Sequence, residues 1–355
     1  MKMRFLSVLL GLLGASCVLP AIAATRFAVI DQIDAPRGAW NFASIDPVGR
    51  RLYVGRTDGI LAVDIDNHKV TPLPLGGRRV QMVAPVPGSD LVVATLDDSN
   101  SAALVNGRTG AVVKELPAGR GPEIATFDPA SGLVAVMAAS EEIILIDPVR
   151  KAVAGKVPMG SLLESAAADG HGRLYVNLED KHAIGVVDVS ARKLIKSWSL
   201  GDCDDPTGLG YAPKRHWLIS ACGNHVAKIV STATGAVVAT LPIGIEPDAV
   251  MVDVQRHLAF IPCSEGHLTV ISLSGAQPRV VASVVTAQGA TTGALDPKSG
   301  RVYLPVGRAP STTFGGREIP GFAVLVVGRR QEAQPRARAE AAGATFKVSQ
   351  LRISR

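Results

Sequence analysis

Apolar residues in this chain fall into short runs bounded by Gly, Pro, Asn and Asp, the pattern of many brief strands joined by tight turns. Nothing in the pattern requires a helix. A turn dipeptide recurs at Asp46-Pro47, Val86-Pro87, Asp128-Pro129, Asp169-Gly170, Ala212-Pro213, Asp253-Val254 and Asp296-Pro297, at spacings of 40, 42, 41, 43, 41 and 43 residues. Seven units of about 42 residues match the repeat length of a four-stranded propeller blade. Each turn is followed by a short apolar strand, clearest in Leu52-Tyr53-Val54, Leu174-Tyr175-Val176 and Val302-Tyr303-Leu304, and then by a polar loop. A β-branched strand comes next, as in Ile60 to Ile65, Ile143 to Asp147, Ile184 to Asp188 and Leu268 to Ser272. Turns such as Thr109-Gly110 and Thr234-Gly235 reverse the chain into a fourth strand, Ala111 to Leu116 or Ala236 to Leu241.

Strands that are apolar on both faces need cover on both faces, and blades stacked around an axis supply it. The expected fold is therefore all-β: a seven-bladed propeller with four antiparallel strands per blade. The last unit stops after its third strand, Phe322 to Val327, while Arg26 to Ile33 stands as an orphan strand before the first turn. Pairing the two closes the ring and removes the edge either would expose.

Composition agrees with this reading, since 36 Gly and 23 Pro with only 4% aromatic residues suit many short buried strands rather than a disordered chain. Residues 1–23 read as a signal peptide, with Lys2 and Arg4 before the apolar run Phe5 to Leu19 and a small-residue cleavage site at Ala21-Ile22-Ala23. The rival reading, a lipoprotein anchored at Cys17, wants a branched apolar residue where Gly14 stands. The expected division is a leader over 1–23, a propeller over 24–328 and a basic tail over 329–355. The product would be periplasmic or secreted and monomeric, with no later apolar run of the roughly 18 residues a spanning helix needs.

The formal charge of +6 is concentrated at the ends. Lys2 and Arg4 contribute two charges, and 329–355 contributes five, from seven basic residues against Glu332 and Glu340, which leaves the body near −1. This gives little support to nucleic-acid binding by the propeller body and leaves it open for the tail. The tail reads either as an arm for an anionic partner or as a solvated disordered extension.

The chain resembles the YVTN-repeat, YncE-like family of bacterial β-propellers over about Arg26 to Val327. The resemblance rests on Tyr53-Val54-Gly55 and Tyr175-Val176-Asn177, which echo the family tetrapeptide, although no full Tyr-Val-Thr-Asn occurs. It rests more specifically on Asp205-Pro206-Thr207-Gly208-Leu209, Cys222-Gly223-Asn224, Pro247-Asp248-Ala249 and Ala294-Leu295-Asp296-Pro297. It implies an exported seven-bladed ring and, for most members, no settled activity. The basic tail departs from the family pattern.

Catalytic signatures are absent: there is no Gly-x-Ser-x-Gly elbow, His-Glu-x-x-His, Gly-rich phosphate loop or Cys-x-x-Cys-His. His182, His225 and His267 begin the third strand of three successive units. Blades stack about 10 Å apart, too far for equivalent positions to share a zinc, so these read as loop histidines. Cys222 and Cys263 are likewise equivalent on adjacent blades. Cys203 lies in the crossover leading to the unit of Cys222, so the predicted disulfide is Cys203–Cys222 with Cys263 free, the alternative being three free thiols.

Six residues before the second residue of each turn lies one polar position per unit: Asn41, Gln81, Glu123, Glu164, Thr207, Asp248 and Thr291. The repeat places them in one ring at the mouth of the central channel. Either the starts of innermost strands are simply wet, or the ring is a ligand site. Glu123, Glu164, Asp205, Glu246 and Asp248 gather on successive crossovers, with Arg37, Arg78, Arg79 and Arg120 on the other side. Converging carboxylates raise one another's pKa unless a cation joins them, so Glu123, Glu164 and Asp248 are expected to face a divalent cation or a cationic ligand.

Three functions are carried: a non-enzymatic platform holding a protein or small ligand at the funnel, a lactonase-like metal-assisted hydrolase, and an accessory to periplasmic redox or metal-handling systems. The last two are implied by the resemblance. A fold shared by so many activities does not choose among them.

Overall fold

The computed structural model describes residues 27–307 and 321–330, together with the backbone of Thr313–Phe314 and Arg317–Glu318. The leader with Cys17, most of the loop between Gly307 and Gly321, and the tail past Arg330 lie outside the described residues.

Each recurring turn joins the first two strands of a four-stranded antiparallel meander. In blade 3 these are Pro122–Asp128, Leu133–Ala138, Glu142–Asp147 and Ala152–Pro158, paired in chain order. The reason for Asp at the turn is visible there. Asp128 is buried, and its carboxylate accepts the backbone N–H groups of Ala130 (3.3 Å) and Ser131 (3.1 Å). Asp46, Asp169, Asp253 and Asp296 bond the turn backbone in the same way, replacing pairings the reversing chain gives up.

Seven such sheets form the ring. The second and third strands are buried on both faces because neighbouring blades cover them: Val93 and Leu104 of blade 2 pack with Val134 and Ile144 of blade 3. The fourth strands lie at the rim and are mostly exposed, as in Val112–Pro117. The innermost strands are Trp40–Asp46, Val83–Pro85, Pro122–Asp128, Leu163–Ala168, Pro206–Ala212, Met251–Asp253 and Ala294–Leu295. Each contacts the next, and the last contacts the first.

Closure is as the surplus strands predict. Phe27–Ala35 pairs antiparallel with Phe322–Arg329 as the outermost strand of blade 7. It runs two residues beyond Ile33, to the Ala35–Phe322 pair, and its partner strand extends to Arg329. Arg26 lies outside the described residues. Among the described residues the only helical turns are three 3-10 turns, Asp97–Ser99, Glu179–Lys181 and Pro213–Arg215, each ended by a left-handed residue, Asn100, His182 or His216. No helix of the described residues is long and apolar enough to cross a membrane.

Candidate functional site

Seven polar contacts run around the inside of the ring, one at each junction between blades. Asn41 Nδ2 donates to Val80 O (3.2 Å), Thr95 Oγ1 to Glu123 O (2.7 Å) and Thr126 Oγ1 to Ala166 O (3.1 Å). Asn177 Nδ2 donates to Thr207 O (3.0 Å), Thr207 Oγ1 to Pro247 O, Asp248 N to Thr291 O (3.3 Å) and Thr292 Oγ1 to Asn41 O (3.1 Å). The chain comes close enough for this because some positions carry no side chain. A Cβ on Gly208 would lie 2.7 Å from the Ala249 carbonyl carbon.

This belt divides the seven mouth positions. The Asn41 and Thr207 side chains are used between blades. Gln81 is buried and donates to Asp97 Oδ2 at 2.8 Å. Thr291 lies beside Asp248, where its hydroxyl favours the charged carboxylate. The carboxyls of Glu123 and Glu164 have no hydrogen bond or salt bridge among the described residues.

These carboxyls feel one another. Loss of solvation by burial is the leading cause that pushes Glu164 up to about 8, with Glu123, Glu179 and Asp248 adding repulsion. Glu123 is raised for the same first reason, then by Asp248 and Asp97, against the opposing charge of Arg79. Asp248 is raised by burial and by Glu246, and Glu179 by burial, Asp205 and Asp180. Glu123 is accessible to solvent, and Glu164 and Asp248 are half-buried. A carboxyl can touch water on one side and have protein in place of bulk solvent on the others, so accessibility and weakened solvation coexist.

Two features depart from a simple ring with segregated charge. Arg79 pairs with Asp97 at 3.3 Å and reaches Glu123, while Arg78 pairs with Glu115. In addition, no three His, Cys, Asp or Glu side chains among the described residues come close enough to hold a metal ion. Glu123, Glu164 and Asp248 are near enough to repel but not grouped as ligands. His182, His225 and His267 do not converge either: His182 Nδ1 lies 2.7 Å from Cys203 O, and His267 faces Glu265 at 3.9 Å.

Asp97 and Glu179 belong to the site although the first-strand register does not include them. They follow the second strands of blades 2 and 4 as Leu96-Asp97-Asp98 and Leu178-Glu179-Asp180. A second strand ends on the face where the first begins, so this repeated Leu-acid-acid triplet marks the same mouth.

The crossover into blade 5 is tied to that mouth. Cys203 and Cys222 form a disulfide with Cα atoms 5.3 Å apart, and Cys263 is buried and free. Asp204 N donates to Asn224 Oδ1 (3.3 Å), Gly223 N to Asp204 O (2.7 Å), and the buried Lys228 pairs with Asp202. Asp205 is held beside Glu179 by these links.

No family model matches this chain, and no curated protein matches it in sequence. Solved structures match it in fold. One titled "Kuenenia stuttgartiensis Hydrazine Synthase" is 16% identical with a TM-score of 0.67, covering 77% of this chain and 94% of that one. Another, titled "Crystal Structure of Mitotic Checkpoint Complex", is 12% identical with a TM-score of 0.72, covering 94% of this chain and all of that one. At such identities the likeness concerns the propeller fold alone.

Proposed function

We propose that this chain is an exported, non-enzymatic propeller of the YVTN-repeat kind whose acidic mouth receives a cationic ligand or the cationic segment of a partner. The observation that carries the reading is the accumulation of raised carboxyls at Glu123, Glu164, Glu179 and Asp248. Like charges held together in poor solvation cost stability, and a bound cation offsets that cost. The mouth carboxyls of Glu123, Glu164 and Asp248 lie near enough to repel one another, which suits a cation spread over several groups, such as an organic or peptide cation. Export to an oxidising compartment is supported by the Cys203–Cys222 bond and by the apolar N-terminal run.

Calorimetric titration with a trilysine peptide at low ionic strength tests the reading. The Glu123→Gln, Glu164→Gln, Asp248→Asn triple variant is expected to keep its fold and lose most of the affinity. Unchanged affinity in that variant would place the ligand elsewhere.

A further inference from the structure

The opposite face of the ring carries a second feature of the other sign. At the seam between blades 6 and 7, a groove of about 440 Å³ is lined by Arg256, Arg301 and Arg329, with Ile30, Gly300 and Gly328 among its other walls. Its volume falls within the roughly 300–1,000 Å³ of small-ligand sites. Arg256 is fixed in place: Nη1 donates to Asp253 Oδ2 (3.0 Å) and Pro297 O (3.3 Å), and Nη2 to Lys298 O (3.1 Å). Asp253 itself is almost fully buried, so it anchors the guanidinium from behind and shows no charge to the groove. Arg301 and Arg329 have no carboxylate partner among the described residues, and Arg329 is steadied by the Phe27 ring, 5.9 Å from its guanidinium carbon.

Two glycines shape the space. Gly300 has φ +72°, a conformation that side chains rarely adopt, and a Cβ there would lie 2.8 Å from the Arg256 guanidinium carbon, so glycine lets that guanidinium lie against the turn without a shift. The closing strand shifts register between Val29 and Asp31, and Ile30 folds over Gly328, where a Cβ would come within 2.7 Å of Ile30 Cδ1. The groove is thus built from four segments, Ile30, Arg256, Ser299–Arg301 and Gly328–Arg329, and Ile30 joins the other three only through the closing strand.

We propose that this groove binds a phosphate ester, its oxygens held by Arg301 and Arg329 against the wall that the anchored Arg256 forms. Guanidinium forks match phosphate oxygens in pairs, and the two forks of Arg301 and Arg329, neither paired with a carboxylate among the described residues, suit a doubly charged oxyanion better than a single carboxylate. The ester is carried either by a small soluble molecule or by a lipid headgroup.

Titration of the full chain with inorganic pyrophosphate at fixed ionic strength tests the site. One saturable site is expected, weakened at least tenfold by Arg301→Gln with Arg329→Gln and unaffected by Arg336→Gln with Arg338→Gln in the tail. The two groove arginines are exposed, so the variant should melt with the parent. If it does not, Arg301→Gln alone is read in its place, with a smaller but clear loss expected. Co-sedimentation with phosphatidate-containing phosphatidylcholine vesicles separates the sources: arginine-dependent pelleting identifies a headgroup site, and pyrophosphate binding without pelleting a soluble ester. Absence of saturable pyrophosphate binding, parental affinity in the groove variants, or loss of affinity only in the tail variant would overturn the proposal.

Discussion

Arg50 and Asp296 stand 246 residues apart in the chain and form a two-pronged ion pair, Nη1 to Oδ1 at 2.8 Å and Nη2 to Oδ2 at 3.0 Å. The pair joins the first turn of blade 1 to that of blade 7, so the ring is locked by side chains as well as by the closing strand. Burial alone would raise Asp296, but Arg50, Ser299 and the Lys298 backbone N–H overcome it and hold the carboxyl at about 2. Arg50→Gln leaves a fully buried carboxylate without its cation and should cost about 2–4 kcal/mol in chemical denaturation at pH 7. Because the folded pKa is depressed, this stabilisation is present above about pH 4 and is lost as the pH falls through about 2. The variant should therefore lose less stability than the parent across that window. Equal acid sensitivity in both would contradict the assignment.

Glu164 has the opposite sign. Pushed up to about 8, it keeps its proton in the folded chain at pH values where the unfolded chain has released it. Its favourable contribution is complete below about pH 4.3 and is lost as the pH rises through about 8. Glu164→Gln cannot ionise, so it should gain about 1–3 kcal/mol over the parent at pH 8.5 and little at pH 5. Urea unfolding at both pH values measures this, and a gain that does not change with pH would contradict it.

The thiol count follows from one bond and one burial. Cys263 is enclosed and pushed up to about 11, first by burial and then by Glu265, so native protein should resist a thiol reagent at pH 8. Unfolding without reductant should release one thiol, or two where the leader with Cys17 is retained. Removing the Cys203–Cys222 bond, which spans 19 residues, should cost about 3 kcal/mol. Rapid native labelling of Cys203 or Cys222 would contradict the pairing.

Deleting residues 27–35 strips the outer strand from Phe322–Arg329 and opens the packing around Phe322, Val324 and Val326, all buried. Most of the cooperative melting transition should disappear. A transition at the parental temperature would mean that closure lies elsewhere.

The fold was legible in the chain because a ring of equal blades writes its period into the sequence, and Asp at the turn has a local reason, the backbone N–H groups it accepts at Asp128 and Asp296. Closure was legible as a count of one surplus strand at each end. The site was legible only in part. A polar residue at each innermost-strand start is one pattern, yet Asn41 and Thr207 bond neighbouring blades while the Glu123 and Glu164 carboxyls repel one another. The period cannot separate these roles, because they depend on which carbonyl the next blade presents. The pairing of Arg50 with Asp296 and the fold of Ile30 over Gly328 were hidden for a related reason: each joins segments brought together only by the closed ring.

The central claim is that the mouth carboxyls are held in want of a cation, and the titration of the Glu164 carboxyl, followed by carbon NMR with and without trilysine, tests it most directly. The free protein should show this group titrating near 8, and bound peptide should draw it down toward the ordinary carboxylate range. A carboxyl that titrates near 4 in the free protein and does not move when the peptide is added would contradict the account.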